Sequence, residues 1–153
     1  MTLTDIRLAR AAERAALEEL QRRASLALPD YRAQLEAHPQ AIELPAAFIA
    51  EGRVLVAEDE AGVAGFAAWL DGEGADEAAL DGLFVEPDRW RSGVGRALVE
   101  AVAAAAAGAG RMRLTVVANP GAVAFYASCG FVPAGETRTR FGPAPVMVRS
   151  AGP

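Results

Sequence analysis

The sequence predicts an α/β protein of the α+β kind: a mixed, mostly antiparallel central sheet of about seven strands flanked by helices. Three observations predict it. Apolar residues recur at helical spacing in the first third of the chain; short runs of strand-forming residues follow one another from Gly52 to Val85; beyond residue 93, helices and strands alternate. Consecutive strands followed by strand–helix alternation make a mixed sheet covered by helices. With 153 residues and a hydrophobic fraction of 52%, the chain can build one domain with a sizeable core.

The elements follow in order. Residues 3–8 (L-T-D-I-R-L) form a short first strand. A helix is predicted from Ala11 to Leu28, with Leu17 and Leu20 three apart and Ala24 and Leu28 at four-residue steps beyond. Pro29 stops it, and Asp30 is the expected N-cap of a second helix through Ala37, which Pro39 ends. Pro45 opens a third, ending near Gly52. Val54–Ala57 and Val63–Leu70 read as an antiparallel pair across the turn of residues 58–62. After a Gly- and acid-rich loop, 71–77, a third strand runs from Ala78 to Val85. The helix from about Gly93 to Gly108 has an expected apolar face of Val94, Ala97, Leu98, Ala101, Val102 and Ala105. A β-branched strand, Met112 to Ala118, precedes a helix from Pro120 to Cys129 that Gly130 ends. Phe131-Val132 and Pro145 to Arg149 are the expected closing strands.

Composition narrows the function. The net charge of −5 argues against nucleic acid as the main partner, because a phosphate-binding face usually shows as a basic excess. All 15 basic residues are arginine, so Schiff-base, P-loop and catalytic-amine roles of lysine are excluded. Cys129 is the one cysteine and His38 the one histidine, too few for a disulfide or a Cys/His zinc site; no metal is expected. The first residues lack the apolar run of a signal peptide, and no segment reaches the ~20 apolar residues of a membrane span. A cytoplasmic protein with no membrane partner is expected.

One junction carries chemistry. A strand feeds W-R-S-G-V-G-R (Trp90 to Arg96), which opens a helix. The first amides of a helix lack internal partners and its dipole favours anions, while glycines let phosphate oxygens approach the backbone. A strand-to-helix turn of this kind also forms without a ligand. A Rossmann fingerprint would need a small residue where this chain has Leu98 and an acid about 20 residues later at a strand end. A Walker loop would need lysine.

The segment L-F-V-E-P-D-R-W-R-S-G-V-G-R-A-L-V (Leu83 to Val99) resembles the acetyl-CoA-binding motif of the GCN5-related N-acetyltransferases: a strand, then Gln/Arg-x-x-Gly-x-Gly/Ala, then a helix. Gly93 and Gly95 fall on its glycines; Trp90 departs from its Gln/Arg position, flanked by Arg89 and Arg91. Downstream, N-P-G-A-V-A-F-Y-A-S-C-G-F (Asn119 to Phe131) resembles the family's Asn-x-x-Ala-x-x-x-Tyr-x-x-x-Gly-Phe, with Asn119, Ala122 and Tyr126 expected on one helix face.

The resemblance implies a single domain, residues 1–153, that moves an acetyl group from acetyl-CoA to a primary amine of a small molecule or peptide. It implies that the backbone of Leu83, Phe84 and Val85 pairs with pantetheine like an added strand. Arg91, Ser92, Gly93, Val94, Gly95 and Arg96 would hold the pyrophosphate, and Asn119 would contact the cofactor arm. Tyr126 would be the acid to the CoA sulfur, since a phenol is protonated at neutral pH. Family members often place a basic Glu where this chain has Ala79; Asp81, two residues on and on the same strand face as Leu83 and Val85, is the candidate base, directly or through water.

The acids Asp71, Glu73, Asp76 and Glu77 would either attract a cationic amine or form a solvated loop. Trp69 would be core or pocket wall; Tyr31, Phe48 and Trp90 would line an acceptor site, with helix–helix packing as the alternative for the first two. The resemblance leaves a homodimer open. The alternative of another class is a non-catalytic acyl-CoA-binding or sensor module, which Ala79 keeps in view; a structural partner-binding domain would have no affinity for CoA.

Overall fold

The computed structural model describes residues 3–38, 42–139 and 142–152. Seven strands form one mixed sheet: β1 (Leu3–Leu8), β2 (Val54–Asp59), β3 (Gly62–Asp71), β4 (Glu77–Val85), β5 (Arg113–Val117), β6 (Val132–Thr139) and β7 (Gly142–Ser150), in the order β1-β2-β3-β4-β5-β7-β6. The helices are α1 (Arg14–Leu26), α2 (Pro29–Ala37), α3 (Ala46–Ala50), α4 (Val94–Gly108) and α5 (Val123–Ser128). β4 and β5 run parallel, while β1–β2, β2–β3, β5–β7 and β6–β7 are antiparallel. Strand number, mixed character and helix order agree with the sequence-based expectation. No described helix is long and apolar enough to cross a membrane.

The chain packs as two units. The first comprises residues 1–68 and 82–98. Its core is Leu17 and Leu20 of α1, Leu44, Ile49 of α3, Val54 and Val56 of β2, and Phe66 and Ala68 of β3. The 3- and 4-residue steps of α1 turn Leu17, Leu20 and Ala24 inward, as the spacing predicts. The segment leading to α3 is fastened to α1 from both sides: Arg14 Nε donates to the Leu44 carbonyl at 2.6 Å, and Leu44 N donates to Glu18 Oε2 at 2.8 Å. Phe48 packs on this core. The side chain of Tyr31 lies outside the described residues. Asp30 sits inside α2 rather than capping it, because the helix already begins at Pro29, where the missing proline N–H costs nothing.

The second unit comprises residues 69–81 and 99–153. β7 pairs with β5 over Arg113–Val117 and with β6 across a bulge at Pro133/Gly135. The expected closing strands prove much longer. β6 is exposed along its whole length and reads as polar (A-G-E-T-R-T), so hydrophobic alternation gives no sign of it; its extended form comes from the hydrogen-bond ladder with β7.

Two further expectations are corrected. In α4 the buried side chains are Val94, Leu98, Val99, Val102, Ala103 and Ala106, so the inward stripe is turned away from Ala97, Ala101 and Ala105. An alanine-rich helix offers too little contrast for its period to choose a face. The helix expected from Pro120 to Cys129 is a 3₁₀ turn, Pro120–Ala122, followed by α5, with Asn119 as an extended cap outside both.

Candidate active site

In the first unit, the last residues of β4 prepare a backbone surface. Leu83, Phe84 and Val85 are half-buried. The Phe84 ring turns into the core, with its centroid 5.3 Å from that of Phe66. Gly65 of β3 permits the approach: a Cβ there would stand 2.8 Å from the Phe84 carbonyl oxygen. β4 ends where Glu86 N donates to the Ala64 carbonyl at 2.8 Å.

A 3₁₀ turn over Pro87–Arg89 then carries the chain into the glycine loop. Arg91 and Gly93 have φ of 67° and 92°. For a residue with a Cβ the left-handed conformation is strained; for glycine it is free. A Cβ built on Gly93 would meet no atom within 4 Å, so the space beside it is open. The first α-helical bond here runs from Ala97 N to the Gly93 carbonyl at 3.0 Å. Helix geometry therefore leaves the amides of Val94 and Gly95 without carbonyl partners inside α4. Arg91 and Ser92 are exposed, and Arg91 forms no ion pair among the described residues. Arg96 is exposed and has a partner.

Arg89 and Trp90 do something else. Arg89 turns its guanidinium onto Asp59, with Nε 2.9 Å from Oδ2 and Nη2 3.2 Å from Oδ1. The guanidinium holds the Asp59 carboxyl below the usual carboxylate range. Trp90, 41% exposed, donates its indole N–H to the Val85 carbonyl at 2.9 Å. Nothing in the sequence connects residue 59 with residue 89; the antiparallel β2–β3 pairing brings the turn at Asp59 to the loop.

In the second unit, the parallel ladder of β4 with β5 runs from Glu77↔Arg113 to Leu80↔Val116. Asp81 is the next residue. It is accessible to water, yet the protein around it displaces part of its hydration, and that desolvation pushes its carboxyl above the usual carboxylate range. The acidic loop before it is largely neutralised. Arg111 pairs with Asp71 at 2.8 Å and donates to the Ala75 carbonyl; Arg113 pairs with Asp76 at 2.9 Å and Glu77 at 3.4 Å. Glu77 also accepts the Gly74 amide at 3.0 Å. The loop is thus neither a free field for cations nor a run of unpaired solvated charges, because Arg111 and Arg113 pair with it.

The Asn119–Phe131 segment is built around one phenol. Tyr126 is buried, edge-on to Phe125 at 5.2 Å and Phe131 at 5.4 Å. Its carbonyl accepts the amides of Cys129 (2.9 Å) and Phe131 (3.1 Å), and left-handed Gly130 ends the helix. Asn119 is half-buried; its carbonyl accepts the Ala122 amide at 2.9 Å, and its side chain makes no capping bond. Cys129 is buried, its carbonyl bound by Arg149, and Trp69 is buried. Among the described residues no cluster of three or more His, Cys, Asp or Glu could hold a metal.

The sheet order and the strand–glycine loop–helix unit define an acyl-CoA N-acyltransferase fold. The model of the acetyltransferase (GNAT) domain matches residues 50–133, more than half of the sequence, and the chain belongs to this family. No curated protein matches it. Solved structures do. The PaiA N-acetyltransferase of Thermoplasma acidophilum, in complex with coenzyme A, superposes with a TM-score of 0.78 at 17% identity, covering 98% of this chain and 99% of that one. The N-acetylglutamate synthase of Neisseria gonorrhoeae, complexed with coenzyme A and N-acetyl-glutamate, gives 0.72 at 21% identity, over 100% of this chain and 36% of that one. Nourseothricin acetyltransferase gives 0.58 at 24% identity, over 65% of each chain. The chain thus spans about one third of the length of the synthase and just under two thirds of that of nourseothricin acetyltransferase. At these identities the likeness is one of fold.

Proposed function

We propose that this chain is a single acetyltransferase domain that moves an acetyl group from acetyl-CoA directly to a primary amine of a small molecule or peptide. The observation that carries the reading is the glycine loop. Left-handed Arg91 and Gly93, open space beside Gly93 and the helix-start amides of Val94 and Gly95 make a main-chain seat for an anion at the head of a 15-residue helix. Coenzyme A in two of the similar structures supports the choice of anion, a pyrophosphate. Leu83, Phe84 and Val85 offer main-chain groups to the pantetheine arm as an added strand would, and Asn119 offers a side chain not spent on capping.

Acetyl-CoA supplies a thioester whose carbonyl carbon accepts the amine and whose thiolate leaves. A β4 amide polarises the carbonyl oxygen. Asp81 removes a proton from the amine, directly or through water; desolvation makes it a stronger base than an ordinary aspartate. Tyr126 returns a proton to the sulfur, its ring fixed between Phe125 and Phe131.

A non-catalytic acyl-CoA sensor is the competing reading, favoured by Ala79. The desolvated carboxylate of Asp81 two residues further along the strand argues for turnover instead. Release of free thiol from acetyl-CoA with a panel of amines decides between them. Amine-dependent release is expected; tight CoA binding with no release on any amine would establish the sensor.

A further inference from the structure

We propose that Asp59 is a positioning residue for the pyrophosphate loop, acting through Arg89. The inference rests on the cofactor reading above and concerns a residue outside both family motifs. Asp59 ends β2, and its side chain is 2% exposed; Arg89, which covers it, is 11% exposed. The pair is sheltered from solvent, Asp59 more fully than Arg89. Asp59 is fixed from its own side, because Oδ1 also accepts the Ala61 amide at 2.9 Å and closes the β2–β3 turn.

The clamp reaches the loop through the main chain. Asp59 and, at 2.8 Å, Asp88 hold the guanidinium of Arg89, which restrains its side chain and the backbone it hangs from. The carbonyl of that same residue accepts both the Ser92 amide at 3.3 Å and the Ser92 hydroxyl at 2.5 Å. Those two bonds fold the chain back over left-handed Arg91 and deliver Gly93 to the start of α4. A second tie, Trp90 Nε1 to the Val85 carbonyl, fastens the loop to the end of β4. Arg89 is thus withdrawn from the ligand. Its charge is spent on Asp59, and its contribution is a loop shaped before the phosphates arrive, which removes the ordering cost from binding.

The test compares a ligand that uses the loop with one that does not. Calorimetric titration with CoA and NMR titration with S-acetylpantetheine, which lacks the pyrophosphate, are run on the wild type and on Asp59→Asn. The expected result is about tenfold weaker CoA binding with S-acetylpantetheine affinity unchanged within about twofold. Arg89→Lys, which keeps the charge but not the fork, should give the same selective loss, and it serves as the reading if Asp59→Asn does not fold by thermal scan. Equal losses on both ligands, or no loss on either, would overturn the positioning role. A wild type that binds no CoA would instead overturn the cofactor reading.

Discussion

The glycine loop and the Tyr126 segment are built in opposite ways. In the proposed function the loop works through the main chain: its donors are amides, its shape comes from two left-handed residues, and its first motif position is a tryptophan that serves a structural bond. Around Tyr126 the main chain is only a frame. Two aromatic rings and a helix-ending glycine hold one hydroxyl-bearing side chain in place. A main-chain site tolerates side-chain change and is sensitive to backbone conformation; a side-chain site is the reverse. This is why the departure at Trp90 does not argue against cofactor binding.

The contrast can be broken most sharply at Tyr126. Tyr126→Phe keeps the ring packing and removes the proton donor, so turnover should fall by roughly 10²- to 10⁴-fold while the CoA Kd moves less than about twofold. Unchanged steady-state turnover would remove Tyr126 as the acid. Gly93→Val makes the complementary change. There is room for the side chain but not for its backbone at φ 92°, and the methyls would stand where phosphate must approach. Backbone strain on the order of 1–3 kcal/mol plus lost approach should weaken CoA binding by about a hundredfold. An unchanged calorimetric titration would refute the loop assignment.

Asp81→Asn tests whether a side chain next to the main-chain surface obeys the second rule. The wild-type kcat/KM should climb as pH rises through the raised carboxyl pKa, because the base acts when ionised; the variant should lose that limb and about tenfold or more of its rate at neutral pH. The sign for stability is opposite. A folded-state pKa above the unfolded value means stability is full below the unfolded value and is lost as pH rises through the folded one. The variant should therefore melt slightly higher than wild type at pH 7, and no higher below pH ~3.5, where both states bind the proton. A lower melting point at pH 7 would contradict the desolvation of Asp81.

The smallest effect is expected in the acidic loop. Arg113 already neutralises Asp76, so Asp76→Asn should change KM for a cationic amine by less than about twofold. A larger rise would restore the loop as an attractor of the acceptor.

Much of this was legible in the sequence. The positions of β1 to β5 and of α1 to α4 follow from period and punctuation, and both glycine motifs sit where the chain passes from extended to helical backbone. The length of β6 was not legible, because its residues are polar and exposed and its form depends on β7. The face of α4 was hidden by alanine. The neutralised acidic loop was hidden because Arg111 and Arg113 lie about 40 residues downstream and meet the acids through the β4–β5 register.

By itself, then, the sequence determined the order of the elements and the places where the backbone must turn left-handed or start a helix, since those depend on glycine, proline and local period. Only the tertiary structure decided which charges remain available. Asp59 and Arg89, Asp71 and Arg111, and Asp76 and Arg113 form three pairs, each between residues at least 30 positions apart in the chain. Pairing over such separations is set by strand register and turn position, which no local pattern in the chain encodes.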